Sequence, residues 1–302
     1  MESNLLSEVR NNWYKTSKEE AIKQLEKILL NNGVKQDKIF KYYFEKIAND
    51  SLVEYSKWTV NELLQSDELL SMFIRKSQSN DKVFTSSDLT QNVRTAIRLG
   101  GKGYARPVTQ FPLKENIRLI NVKNSIVGDM ACGWGTRMIA AAATGNNYIG
   151  FEVNEPLIEK LNELGNDIKN ILPGFNFKIF GHGSEVVEHK VIGKLGQIIT
   201  SPPYFDLEQY TQHGDEVYSQ SYSNFLNSFL LPVVDNALSY VSHGDVLINI
   251  KDTKSSSSMT DIVKYVSDKH LNYEFGELKN IQRTLSNGTH LNNNEDILII
   301  HK

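Results

Sequence analysis

The chain has 302 residues, of which 40% are apolar and 23% charged, and a formal net charge of −3. That balance fits a globular α/β domain with an appendage, and no apolar run approaches the roughly 20 residues that cross a bilayer. It excludes a protein that coats nucleic acid regardless of sequence, while a basic groove on a mildly acidic surface stays open.

The lone Cys132 rules out an intramolecular disulfide framework. With no basic segment leading into an apolar core after Met1-Glu2-Ser3-Asn4, a cytoplasmic location without a secretory signal or membrane partner is expected.

Residues 1–85 read as a helical N-terminal domain. Ala21, Ile22, Leu25, Ile28 and Leu29 recur at helical spacing, with Ser17 and Glu20 as a capping box. Ile39, Tyr42, Tyr43, Phe44 and Ile47 continue the pattern, as do Leu52, Tyr55, Trp58, Val60 and Leu63-Leu64. Leu69 to Ile74 forms a further short helix, and no strand alternation is visible. This bundle either packs on the main domain or takes part in target recognition, partner binding or self-association. The polar stretch Ser77 to Lys82 reads as a linker into a helix over Ser86 to Leu99, ended by Gly100-Gly101-Lys102-Gly103. Glycines beside Lys102 and Arg106 suit either a mobile loop or backbone approach to an anion.

Residues 86–302 form the second domain, in which strands and helices alternate. Strands are expected at Ser125–Asp129, Tyr148–Glu152, Phe177–Phe180, Gln197–Thr200, Val246–Ile250 and Ile297–Ile300, with helices over Thr136–Thr144 and Glu155–Asn170. Alternation of this kind predicts a mainly parallel sheet covered on both faces, with ligands at the carboxyl ends of its strands. Ser255-Ser256-Ser257-Ser258 and Asn292-Asn293-Asn294 read as flexible loops without evident chemistry.

Asp129-Met130-Ala131-Cys132-Gly133-Trp134-Gly135 turns a strand into a helix, where glycines admit a ligand close to the backbone. Met138 stands where a dinucleotide fingerprint has its third glycine, and Glu152 closes the next strand, where a carboxylate can accept from two ribose hydroxyls. Together they suit a nucleoside cofactor without a pyrophosphate. Cys132 is a packing residue of that turn rather than a nucleophile.

Ile198-Ile199-Thr200-Ser201-Pro202-Pro203-Tyr204-Phe205 is the most specific segment. An exocyclic base amine is a poor nucleophile because its lone pair is delocalised into the ring. Two acceptors near its hydrogens, the Ser201 side chain and the Pro202 carbonyl, can draw it toward tetrahedral geometry for attack on a methyl group. Consecutive prolines keep the loop stiff and strip it of donors. Tyr204, with Phe205, offers a stacking surface for a flipped base.

These two motifs resemble the S-adenosylmethionine-dependent amino-methyltransferases of DNA, over about residues 105–302. The resemblance implies a Rossmann-like methyltransferase domain with a mainly parallel seven-stranded sheet beside the N-terminal helices. It implies S-adenosyl-L-methionine held by Asp129, Ala131, Cys132, Gly133, Gly135, Glu152 and Thr200, with Phe111 lining the methionine end. Where the family often has an Asp at the adenine amine, the chain reads Gly181-His182-Gly183-Ser184-Glu185, and Ser184 is expected to substitute. Ser201, Pro202, Pro203 and Tyr204 carry over as the catalytic tetrapeptide.

Ser-Pro-Pro-Tyr is typical in that family of N4-cytosine enzymes, so N4 of cytosine in DNA is preferred over N6 of adenine. The protein is then expected to serve in restriction-modification or regulation. The cofactor motif precedes the catalytic one, unlike the permuted order common among Ser-Pro-Pro-Tyr enzymes. Alternatives are an RNA or protein methyltransferase on the same scaffold, or a non-catalytic module that kept the fold. Asp206, Glu208, Tyr210 and His213 fall where relatives fold over the target base, and target reading is expected from Asp206–Asn224, the N-terminal helices or a partner. His182, His213, His243 and His290 share no metal-ligand spacing with Cys132, so no metal is expected.

Overall fold

The computed structural model describes residues 2–53, 56–79, 84, 86–100, 103–105, 108, 111–205, 208–209, 221–270, 272–276, 279–281 and 295–302. Tyr55, Lys82, Lys102, Arg106, Asp206, Tyr210, His213, His290 and Asn292-Asn293-Asn294 lie outside them. The chain divides into two compact units, one of Met1–Lys23, Asp37–Thr109 and Leu207–Asp215, the other of Gln24–Gln36, Gln110–Asp206 and Glu216–Lys302.

The first unit packs Glu2–Trp13, Val60–Gln65, Asp67–Ser77 and Leu89–Gly100 around Val9, Leu63, Leu70, Phe73, Val93 and Ala96. Leu89–Gly100 packs on Asp67–Ser77, so the unit runs past the expected boundary at 85 to Thr109. Arg94, bonded to Glu45, lies 4.2 Å over the Trp13 ring and ties three helices together.

One expectation here fails. Leu52–Val53 is a short strand, β1, paired antiparallel with β6, Glu208–Gln209. The helical period cannot run from Leu52 into Val60 because Thr59 starts a new helix. Its hydroxyl accepts the Glu62 N–H at 3.1 Å, and the Glu62 carboxylate accepts the Thr59 N–H at 2.7 Å. The capping box expected at Ser17 and Glu20 is present, at 3.2 and 3.0 Å.

The second unit is built on a sheet. Its strands are β2 (Ile126–Asp129), β3 (Asn147–Phe151), β4 (Phe177–Phe180), β5 (Gln197–Thr200), β7 (Asp245–Asn249), β8 (Glu274–Phe275), β9 (Lys279–Ile281) and β10 (Glu295–His301). The lateral order is β4-β3-β2-β5-β7-β10-β8, with β9 also paired to β10. β4 through β7 run parallel, and β10 is antiparallel to β7. This is the Rossmann-like methyltransferase fold, its seven-strand path extended by β9. The apolar strands β2, β5 and β7 are almost wholly buried because helices cover both faces. Chain order reverses between β2 and β5, which makes their carboxyl ends the natural place for a ligand.

Of Ser255-Ser256-Ser257-Ser258, the first three lie in a loop as expected and the last is helical. Ser258 opens the helix Ser258–Lys269, and one Asp252 oxygen accepts the Met259 and Thr260 N–H groups at 2.8 and 3.2 Å. The Thr253 hydroxyl bonds those of Ser255 and Ser256.

Candidate functional site

The turn after β2 leaves the strand at Asp129 and enters the helix Thr136–Ala143, with Gly133 at φ 52° and Gly135 at φ 69°. In this left-handed region a side chain is strained, so both positions favour glycine. Asp129 is fully buried, 0% exposed. One of its oxygens accepts from Arg137 Nε at 2.5 Å and the Tyr148 hydroxyl at 2.9 Å, and the other accepts the Ala131 N–H at 3.2 Å. Arg137 also donates to the Ala131 carbonyl. Asp129 therefore has both carboxylate oxygens engaged by the protein itself. With Arg137 it fixes the Ala131 peptide from below.

Arg137 and Tyr148 were not foreseen as partners of this turn. Burial works against the Arg137 charge, but the carboxylate beside it raises the guanidinium pKa on balance. Cys132 is 1% exposed, and burial, then Asp129 and Glu152, push its thiol well up. It stays protonated and packs against Gly150, where a Cβ would overlap its sulfur and the Tyr148 ring. The packing role holds; a side-chain contact to a ligand does not fit such burial.

Glu152 follows β3. One oxygen accepts the Gly133 N–H at 3.3 Å, and the other accepts Val153 and Asn154 N–H groups at 3.0 and 3.1 Å. Its pKa is raised, burial outweighing the three hydrogen bonds. Gly133 and Glu152, both expected at the cofactor, are thus joined by a direct bond.

After β4, Ser184 is 3% exposed and its backbone carbonyl accepts Asn236 Nδ2 at 2.8 Å. Its neighbour Glu185 has a buried carboxylate oxygen, Oε2, with no hydrogen-bond partner among the described residues. Gly183 leaves room for that carboxylate, which a Cβ would strike. A buried acceptor left open is costly, and it suits a donor brought by a ligand. An acidic side chain next to Ser184 was the available signal.

Phe111 is half-buried just before Pro112, the N-cap of Leu113–Leu119.

The catalytic segment leaves β5. Thr200 is 1% exposed, and its hydroxyl accepts the Met130 N–H at 3.2 Å. It is a clamp between the two turns. Ser201 is partly exposed and donates a long 3.5 Å bond to the Asn249 carbonyl at the end of β7. Pro202 is buried, and Pro203 and Tyr204 are half-buried. Tyr204 packs against the core without being sealed in it. Phe205 is committed to ring contacts with Tyr222 and Phe225, centroids 5.4 and 5.5 Å away, and anchors the loop instead of stacking on a base. Among the described residues no group of His, Cys, Asp and Glu could hold a metal, and no helix is long and apolar enough to cross a membrane.

The sequence matches no family model and no curated protein. Similar solved structures include an rRNA methylase from Streptococcus thermophilus, 15% identical, covering 63% of this chain and 93% of its own, at a TM-score of 0.38. Precorrin-6y C5,15-methyltransferase from Geobacter metallireducens is 10% identical over 63% of this chain and 86% of its own, at 0.43. Magnesium protoporphyrin IX methyltransferase from Synechocystis is 12% identical over 76% and 90%, at 0.40. The strand order, and not these distant likenesses, defines the fold.

Proposed function

We propose that the chain transfers a methyl group from S-adenosylmethionine to an exocyclic amine of a nucleic-acid base, N4 of cytosine in DNA in preference to N6 of adenine. One observation carries the reading. Ser201-Pro202-Pro203-Tyr204 leaves β5 beside the Gly133 turn that leaves β2, and the Thr200 hydroxyl ties the two through Met130.

The residues at these strand ends fit the cofactor. Glu152 would take its ribose hydroxyls, the open Glu185 oxygen its adenine amine, and the turn through Gly133 and Gly135 would lie along it. When bound, S-adenosylmethionine supplies an activated methyl on a sulfonium centre. The Ser201 hydroxyl can donate to the Asn249 carbonyl 3.5 Å away and keep its oxygen lone pairs to accept from the substrate amine. The Pro202 carbonyl is the second acceptor, and the half-buried Tyr204 ring bears the face of the base. Transfer would exchange the methyl's bond to sulfur for one to nitrogen and leave S-adenosylhomocysteine, and the amine would give up one proton to solvent, because neither acceptor is basic enough to keep it.

The test is mass spectrometry of nucleosides from DNA and RNA incubated with the full chain and S-adenosylmethionine. N4-methylcytosine from DNA is expected. N6-methyladenine would move the target base, modification confined to RNA would overturn the DNA assignment, and no modified nucleoside from either polymer would overturn the nucleic-acid reading.

A further inference from the structure

The loop after β7 reads Lys251-Asp252-Thr253-Lys254-Ser255-Ser256-Ser257. Two links hold it beside the catalytic turn. β5 and β7 are parallel with Thr200 opposite Ile248, so Ser201 stands level with Asn249, to whose carbonyl it bonds, and Lys251 lies two residues beyond. On the other side Phe205 packs on Tyr222, whose hydroxyl bonds Asp261 at 2.7 Å, and Ser257 bonds the same Asp261 oxygen at 2.8 Å.

The loop is also braced by its own hydrogen bonds and carries two lysines against one aspartate. The Thr253 N–H donates to the Ser256 carbonyl at 2.8 Å. Both Asp252 oxygens are occupied by the start of Ser258–Lys269, through the Met259 and Thr260 N–H groups and the Thr260 hydroxyl. The acid therefore bonds the start of its own helix rather than the lysines. Lys254 is exposed and Lys251 partly so, and neither has an ion-pair partner among the described residues.

We propose that Lys251 and Lys254 form a phosphate clamp that holds the sugar-phosphate backbone of the strand whose base enters the Ser201 turn. On a chain of net charge −3, affinity for a polyanion has to come from such local cations. A loop braced in this way spends little ordering entropy on the contact. The proposal rests on the nucleic-acid reading and deepens it. DNA and RNA present the same phosphodiester, so both belong in the test.

The experiment compares the full chain with the variant Lys251→Gln/Lys254→Gln. Binding of 12-nucleotide single-stranded DNA and RNA is measured against KCl concentration, with S-adenosylhomocysteine affinity alongside. Each lost phosphate contact should lower the slope of log K against log[salt] by about 0.7 on a single strand. The double variant is therefore expected to lose about 1.4 on whichever polymer the parent methylates. Cofactor affinity should not change, and Lys251→Arg/Lys254→Arg should restore the slope. An unchanged slope in a variant of an active parent overturns the clamp and spares the methyltransferase reading. A parent that binds neither polymer overturns both, and a slope that falls together with cofactor affinity overturns the clamp in favour of a folding defect.

Discussion

Arg137→Met strands the Asp129 carboxylate in a site with no solvent. Asp129 is 0% and Arg137 8% exposed, and the pair also holds Tyr148 and the Ala131 peptide. Removing one member of a buried pair leaves an uncompensated charge and costs about 3–5 kcal/mol. A domain's entire stability is roughly 5–15 kcal/mol, so this is a large part of it. Adding Asp129→Asn should recover part of the loss: no charge is then stranded, and the amide oxygen can still accept from Tyr148 or Ala131. Urea denaturation with fitted slopes gives the three free energies, and Arg137→Lys, which keeps the charge, guards against outright misfolding. A single Arg137→Met variant within about 1 kcal/mol of the parent would refute the reasoning, as would a double variant less stable than Arg137→Met alone.

Ser201→Ala should cut kcat by about 10²-fold while leaving S-adenosylhomocysteine affinity intact in calorimetry; unchanged turnover rules out Ser201 as an acceptor. Glu152→Gln should weaken cofactor binding by roughly 1.5–3 kcal/mol, the worth of a hydrogen bond to a charged group. Because burial raises the Glu152 pKa, its ionisation costs stability as pH rises from the ordinary carboxyl range through the raised value. The Gln variant should escape that loss, and parental cofactor affinity should strengthen across the same window; thermal melts and calorimetry from pH 4 upward read both. Glu185→Gln should reduce cofactor affinity where Ser184→Ala leaves it within about twofold, and the opposite order would return the adenine contact to Ser184.

Strand positions were legible because β2, β5 and β7 are short apolar runs ended by turn residues, and such runs are buried wherever helices cover both faces. β8, with two residues, carries too little pattern to be seen. The site was legible as segments and less so as roles. Asp129 and Thr200 drew notice from their place at strand ends, but whether such a side chain meets a ligand or the protein depends on what packs over it. For Asp129 that is Arg137 and Tyr148, and for Thr200 it is Met130, seventy positions away. The same holds for Ser258: a serine run reads as a loop until Asp252 folds onto the helix that follows it.

The Thr200–Met130 bond joins neighbouring strands across the chain that loops out between them. Two helices and two further strands lie in that stretch, and their Arg137, Tyr148 and Glu152 brace the first turn from the same side of the bond. If the polypeptide were severed after β4 and its old ends spliced, the same face-to-face arrangement would result. Which motif comes first along the gene is therefore a matter of ancestry and carries no information about the chemistry.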